Sequence, residues 1–257
     1  MPSKLIYLNI LIKKIMEVLI MTLNIAHRGF SALYPENTML AFTKAKEQGL
    51  CDGIELDVQL TKDNVPIIIH DEDLERTTGQ LGKVKDFTYR EIRTLNAGNN
   101  EKIPSLEEYL EFAKANKIYT NIELKNSVID YKDLELITLN LIYKFGLKEN
   151  VIISSFNHES MIKVKNLDKN IKTGLLYDNL MHNPQEYCKT CNADAMHPNY
   201  TSLLISSNIE KLQKSNIDIN AYTVNHEDHM RYLVDKKITS IITNHPDILY
   251  RIIKGLK

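Results

Sequence analysis

Apolar and polar positions along the 257-residue chain switch between two periods. Short runs with the period of a strand occupy Leu23 to Ala26, Gly53 to Gln59, Val65 to His70, Tyr119 to Leu124, Val151 to Ser155, Lys172 to Leu176, Ala193 to His197, Ile217 to Tyr222 and Ser240 to Ile242. Amphipathic helical stretches such as Ser105 to Asn116, Lys132 to Phe145 and Ser206 to Ser215 separate most of them. That order is the mark of repeated βα units around a parallel sheet. One gap departs from it: only the five residues Leu60 to Asn64 lie between the second and third runs. A parallel crossover needs roughly a dozen residues, so these two runs must pair as an antiparallel hairpin. The remaining strands predict a TIM-type eight-stranded α/β barrel with an antiparallel hairpin after its second strand. The stretch from Asp71 to Pro104 exceeds an ordinary βα loop. It predicts a small insertion over the face where barrel active sites form.

Ahead of the first strand, Leu5, Leu8, Ile12, Ile15 and Leu19 make a helical stripe that Lys13, Lys14 and Glu17 interrupt. Those charges argue against a membrane span, and the two lysines stand where a signal peptide needs small cleavage-site residues. Residues 1–22 are therefore read as an N-terminal extension, either an added helix or sequence ahead of a true start at Met21. Residues 23–257 are read as one barrel domain.

Composition narrows the function classes without choosing one. A hydrophobic share of 43% with 25% charged residues is that of a globular protein. With 32 basic against 33 acidic residues, the net charge of -1 leaves no electrostatic footprint for nucleic acid or an anionic membrane. Any anion site must be local. Cys51, Cys188 and Cys191 are too few and too unevenly spaced for a disulfide framework, which favours a reducing compartment, the cytoplasm. Homo-oligomerisation stays open.

Candidate chemistry follows from strand alternation. In Gly53 to Gln59, Ile54, Leu56 and Val58 fall on one face and Glu55 and Asp57 on the other. The apolar face should meet the helices, so both acids point into the barrel. By the same alternation Asn121, Glu123 and Lys125 point inward from the next barrel strand. Carboxylates about 4 Å apart repel by roughly 4 kcal/mol at an effective dielectric near 20. A hard divalent cation, calcium or magnesium, would relieve that repulsion; a buried ion network with Lys125 and nearby arginines is equally compatible with the spacing. The hairpin returns His70 to the level of Glu55 and Asp57, and His27 ends the first strand, where barrel active sites are built. Arg28 suits a phosphate by its guanidinium, or a salt bridge to Glu36. For Arg76, a structural bond inside the insertion is the simpler expectation.

The residues together resemble the glycerophosphodiester phosphodiesterase family. The resemblance rests on Ile25-Ala-His-Arg-Gly-Phe-Ser31, Tyr34-Pro-Glu-Asn-Thr38, Gly53-Ile-Glu-Leu-Asp57 and Ile67-Ile-Ile-His-Asp71, in that order. It continues through Leu74-Glu-Arg-Thr-Thr78, Ile103-Pro-Ser-Leu-Glu-Glu108, Asn121-Ile-Glu-Leu-Lys125, Ser154-Ser-Phe156 and Ile242-Thr-Asn-His-Pro-Asp247. It implies one calcium or magnesium ion at Glu55, Asp57 and Glu123, with His27 and His70 as general acid and base in unassigned order. It also implies Arg28 and Lys125 on the phosphate, and Phe156 and Tyr222 beside the glycerol. The expected reaction is hydrolysis of a small-molecule glycerophosphodiester, such as glycerophosphocholine, to glycerol 3-phosphate and an alcohol. Tyr222 is a departure, since the family usually has tryptophan there. A lysophospholipase D acting on long-chain substrates, a non-catalytic phosphodiester-binding protein and an unrelated metal-dependent barrel hydrolase are the alternatives.

Overall fold

The structure is a computed structural model that describes residues 21–256. Most of the N-terminal extension, including its helical stripe, lies outside the described residues. Nine strands form one sheet: β1 (Leu23–His27), β2 (Gly53–Leu60), β3 (Pro66–Ile68), β4 (Tyr119–Leu124), β5 (Val151–Ser155), β6 (Lys172–Tyr177), β7 (Ala195–Pro198), β8 (Asp218–Ala221) and β9 (Ser240–Thr243). Eight of them are parallel and close on themselves, because β1 pairs with both β2 and β9: Ile25 lies opposite Gly53 on one side and Ile242 on the other. The expected TIM-type α/β barrel is thus observed.

The hairpin forms as its length demands. Leu60 pairs with Pro66 and Val58 with Ile68, antiparallel. Thr61 closes the turn, accepting from Asn64 N–H through its carbonyl and from Val65 N–H through its hydroxyl, while Asn64 takes a φ of 59°. The ladder is shorter than the run Val65 to His70. After Ile69 N–H donates to the Asp57 carbonyl, the chain turns away toward the insertion.

Two cores result. Ile54, Leu56, Val58 and Leu60 pack outward with Phe42, Tyr109 and Leu110 from the surrounding helices. A smaller cluster of Ile67, Ile69, Leu74, Val84, Ile92 and Ile103 fastens the segment 71–104 onto the outer side of β3. Inside the barrel a lower belt of neutral polar groups forms two hydrogen-bonded sets. Ser154 Oγ donates to Asn121 Oδ1 at 3.0 Å, Ser240 Oγ donates to Asn220 Oδ1 at 2.6 Å, and Asn220 Nδ2 donates to His197 Nε2 at 2.8 Å. Gly174 makes room for that imidazole: a Cβ there would meet His197 Nε2 at 2.1 Å.

Candidate active site

The upper end of the barrel carries charge instead. Glu55 and Asp57 are buried on the inward face of β2, and Glu123 comes from β4, where it lies opposite Asp57. One oxygen from each carboxylate fits within 4.8 Å of the others. Arg28 and Lys125 supply two positive charges against these three negative ones. The Arg28 Nε lies 3.2 Å from Asp57 Oδ2, and Lys125 Nζ lies 3.0 Å from Glu123 Oε1 and 3.9 Å from Asp57 Oδ1. Glu55 receives a main-chain N–H from Arg28 at 3.0 Å, with only the His27 imidazole 3.8 Å away. Burial, then the charges of Asp57 and Glu123, push the Glu55 carboxyl well above the usual carboxylate range. Burial and Asp57 also raise Glu123, with Lys125 opposing. Burial works against the Asp57 anion too, yet Arg28, His70, Lys125 and a hydrogen bond from Asn37 hold it below its ordinary value.

The donor set fits a hard cation. Glu55 Oε1 and Asp57 Oδ1 are buried with no hydrogen-bond partner, and a buried carboxylate oxygen left in that state is costly unless a proton or a cation meets it. All-oxygen ligands of this kind suit calcium or magnesium better than zinc.

A histidine stands on each side of the acids. His27 sits at the end of β1, with Nδ1 2.6 Å from Asn244 Oδ1. That contact places its proton on Nδ1 and turns Nε2 toward Glu55. Burial, then the neighbouring Arg28 charge, push the imidazole down to about 4. His70 Nδ1 lies 2.6 Å from Asp71 Oδ1, and its Nε2 lies 3.2 Å from Lys125 Nζ. Because an ammonium only donates, Nε2 of His70 presents its lone pair to the site and Nδ1–H donates to Asp71.

Backbone strain marks the same place. Arg28 takes a φ of 54°, uncommon for a non-glycine residue, and Gly29 follows at 79°. Gly29 has no alternative, since a Cβ there would lie 2.7 Å from the Ala41 carbonyl carbon. The Arg28 guanidinium bridges Asp57 to Glu36, donating to Glu36 Oε1 at 2.9 Å. The salt bridge to Glu36 and the inward placement therefore coexist. Arg76 makes the expected bond inside its own segment, to Asp71 at 2.5 Å, and also reaches out of it to hold Glu36 at 2.7 Å. At the mouth, Phe156 and Tyr222 meet edge to face with centroids 5.9 Å apart, and Tyr222 Oη donates to Asp178 at 2.9 Å.

Sequence reasoning passed over Asn37, Asp71 and Asn244 as site groups. All three lay within quoted motif blocks, but their partners are set only by the closed barrel.

A barrel whose upper end combines a carboxylate donor set, two imidazoles and two basic side chains has the groups of a hydrolase of phosphate esters. Comparison with known proteins gives the particular family. The profile of the Glycerophosphoryl diester phosphodiesterase family matches residues 27–248. A glycerophosphodiester phosphodiesterase of Caldanaerobacter subterraneus subsp. tengcongensis is 39% identical over 240 residues, covering 91% of this chain and 98% of the relative. One from Bacillus altitudinis is 38% identical over 246 residues, covering 92% and 100%. Among solved structures, an Oleispira antarctica phosphodiesterase in complex with the product sn-glycerol-3-phosphate superposes with a TM-score of 0.80 at 26% identity, covering 91% of this chain and 97% of that one. The chain belongs to the glycerophosphoryl diester phosphodiesterase family and is a phosphoric diester hydrolase.

Proposed function

We propose that the enzyme hydrolyses glycerophosphodiesters such as glycerophosphocholine to glycerol 3-phosphate and an alcohol, with calcium or magnesium at Glu55, Asp57 and Glu123. One observation carries this reading: three inward carboxylates with two orphaned oxygens, flanked by His27 and by His70, each with Nδ1 occupied. When bound, a divalent cation supplies charge to the phosphoryl oxygens and lowers the pKa of an attacking oxygen.

The chain's own groups do the rest. Arg28 and Lys125 meet the phosphate's negative charge, and Phe156 and Tyr222 close the glycerol side. One imidazole takes the proton of the attacking oxygen at Nε2; the other must enter the step protonated on both nitrogens, and it gives its Nε2 proton to the leaving alkoxide. Asp71 and Asn244 keep the rings aligned, so that each Nε2 faces the reacting centre. The three free cysteines support work in a reducing compartment, the cytoplasm.

The test is release of glycerol 3-phosphate from glycerophosphocholine by the purified enzyme, with chelator and then with calcium or magnesium added back. Turnover that the metal restores supports the reading. Turnover only on lysophosphatidylcholine would replace it with a lysophospholipase D, and binding without turnover would replace it with a phosphodiester-binding protein.

A further inference from the structure

The inward face of β2 reads Glu55, Asp57, Gln59, and the third residue has no place in the reaction just described. Gln59 is fully buried. The two hydrogens of its Nε2 serve three consecutive carbonyls, one of them shared: Ile69 at 3.1 Å, His70 at 3.0 Å and Asp71 at 2.8 Å. Its Oε1 accepts from the Tyr131 hydroxyl at 2.8 Å, and that hydroxyl belongs to the segment between β4 and the helix Leu134–Phe145. Tyr131 is itself buried.

This contact begins where the sheet stops. The β2–β3 ladder ends with Ile68, and Ile69 N–H makes the last main-chain bond to β2. Beyond it, among the described residues, no main-chain N–H reaches the carbonyls of His70 or Asp71. The Gln59 amide takes over from the ladder at the residues whose side chains form the His70–Asp71 pair.

We propose that Gln59 is a positioning residue for His70, with Tyr131 as the brace that holds its amide in orientation. The proposal rests on the phosphodiesterase reading for its catalytic consequence, but not for its structural one. Phosphoryl transfer requires a proton-transferring nitrogen placed to a fraction of an ångström, and a shift of about 1 Å can cost roughly 10²-fold in rate. Two anchors restrain His70: its ring is held by Asp71 and Lys125, and its main chain by Gln59. A glutamine suits the second task because its N–H groups can serve carbonyls while its oxygen accepts from the tyrosine. A glutamate of the same shape keeps the bond from the Tyr131 hydroxyl but sets an acceptor against the three carbonyls.

Gln59→Glu should lower kcat by about 10²-fold with KM nearly unchanged. Tyr131→Phe, which keeps the packing and removes one hydrogen bond, should lower it less. The deciding comparison is a double-mutant cycle with His70→Ala. If Gln59 acts through His70, adding Gln59→Glu to His70→Ala costs no further activity. Losses that multiply would mean a general weakening of the fold and would overturn the proposal.

A second measurement does not need turnover. The ring resonances of His70 and His27, recorded by NMR on the full chain, should shift and broaden for His70 alone in Gln59→Glu and Tyr131→Phe. Unchanged His70 resonances in both variants would sink the clasp. An unmodified enzyme without phosphodiesterase activity would instead count against the proposed function, so the two failures are distinguishable.

Discussion

Two polar layers lie inside one barrel, and they are built in opposite ways. The lower belt of Asn121, Ser154, His197, Asn220 and Ser240 is neutral, and hydrogen bonds within its two sets leave only His197 Nδ1 without a partner. The upper ring of Glu55, Asp57 and Glu123 is charged, only partly neutralised by Arg28 and Lys125, and leaves Glu55 Oε1 and Asp57 Oδ1 without hydrogen-bond partners. A buried polar network that satisfies itself specifies a core, whereas one that does not awaits a ligand or stores strain. The left-handed Arg28 at the upper ring follows the same division. Burial alone therefore does not mark a functional polar group; unmet charge does, since the orphan of the lower belt is one nitrogen of a neutral imidazole and those of the upper ring are carboxylate oxygens.

The contrast is broken most forcefully at Glu55. Replacing it with glutamine should reduce kcat/KM by about 10³-fold or more, because the proposed cation would lose a ligand where charge develops. In chelator, however, the same variant should unfold at a higher denaturant concentration than the unaltered protein, by about 1 kcal/mol, since a repelled buried carboxylate is gone. A Glu55→Gln variant that is less stable than its parent without metal would show that the upper ring is a satisfied ion network.

A somewhat smaller effect is expected at the histidine supports. Asp71→Asn leaves the shape of the His70 pair but withdraws its charge and frees the ring tautomer, and kcat should fall by about 10²-fold with stability little altered. Steady-state kinetics beside thermal unfolding checks this. Asn220→Ala should do the reverse: it orphans Ser240 and His197, costing about 1–3 kcal/mol of stability, while kcat stays close to its original value. A large loss of kcat there would erase the distinction between the layers.

The smallest effect is a pH dependence in the lower belt. Burial pushes the His197 imidazole down to about 3, below its ordinary 6.5. The unfolded chain then binds the proton that the folded chain refuses, so the contribution is fully present above pH 6.5 and declines as pH falls through 6.5 toward 3. Between pH 7 and 5.5 the loss from this one group is about 1 kcal/mol. His197→Gln should flatten the unfolding free energy over that interval by this amount, as read from denaturant titrations at both pH values.

Much of this arrangement was legible along the chain, for local reasons. Strand alternation alone turned Glu55, Asp57, Glu123 and Lys125 to the same side, because successive side chains of a strand must point oppositely. The five-residue gap at Leu60 to Asn64 allowed no crossover, so the hairpin and the return of His70 followed from chain length. The motif blocks named the family that the comparisons show.

Closure of the barrel decided the remainder. Asn244 reaches His27 across 217 positions because β1 and β9 pair side by side, a neighbourhood that no local period encodes. Arg76 joins Glu36 to Asp71 only once the segment 71–104 has packed its own small core against β3. Gln59 looked like one more inward polar residue of β2; its work emerged when the folded chain put three carbonyls and the Tyr131 hydroxyl around it. Side-chain direction is a property of a strand, and the sequence carries it openly. The partner that a directed side chain meets is a property of the closed sheet, because it depends on strands and loops brought together from the whole length of the chain.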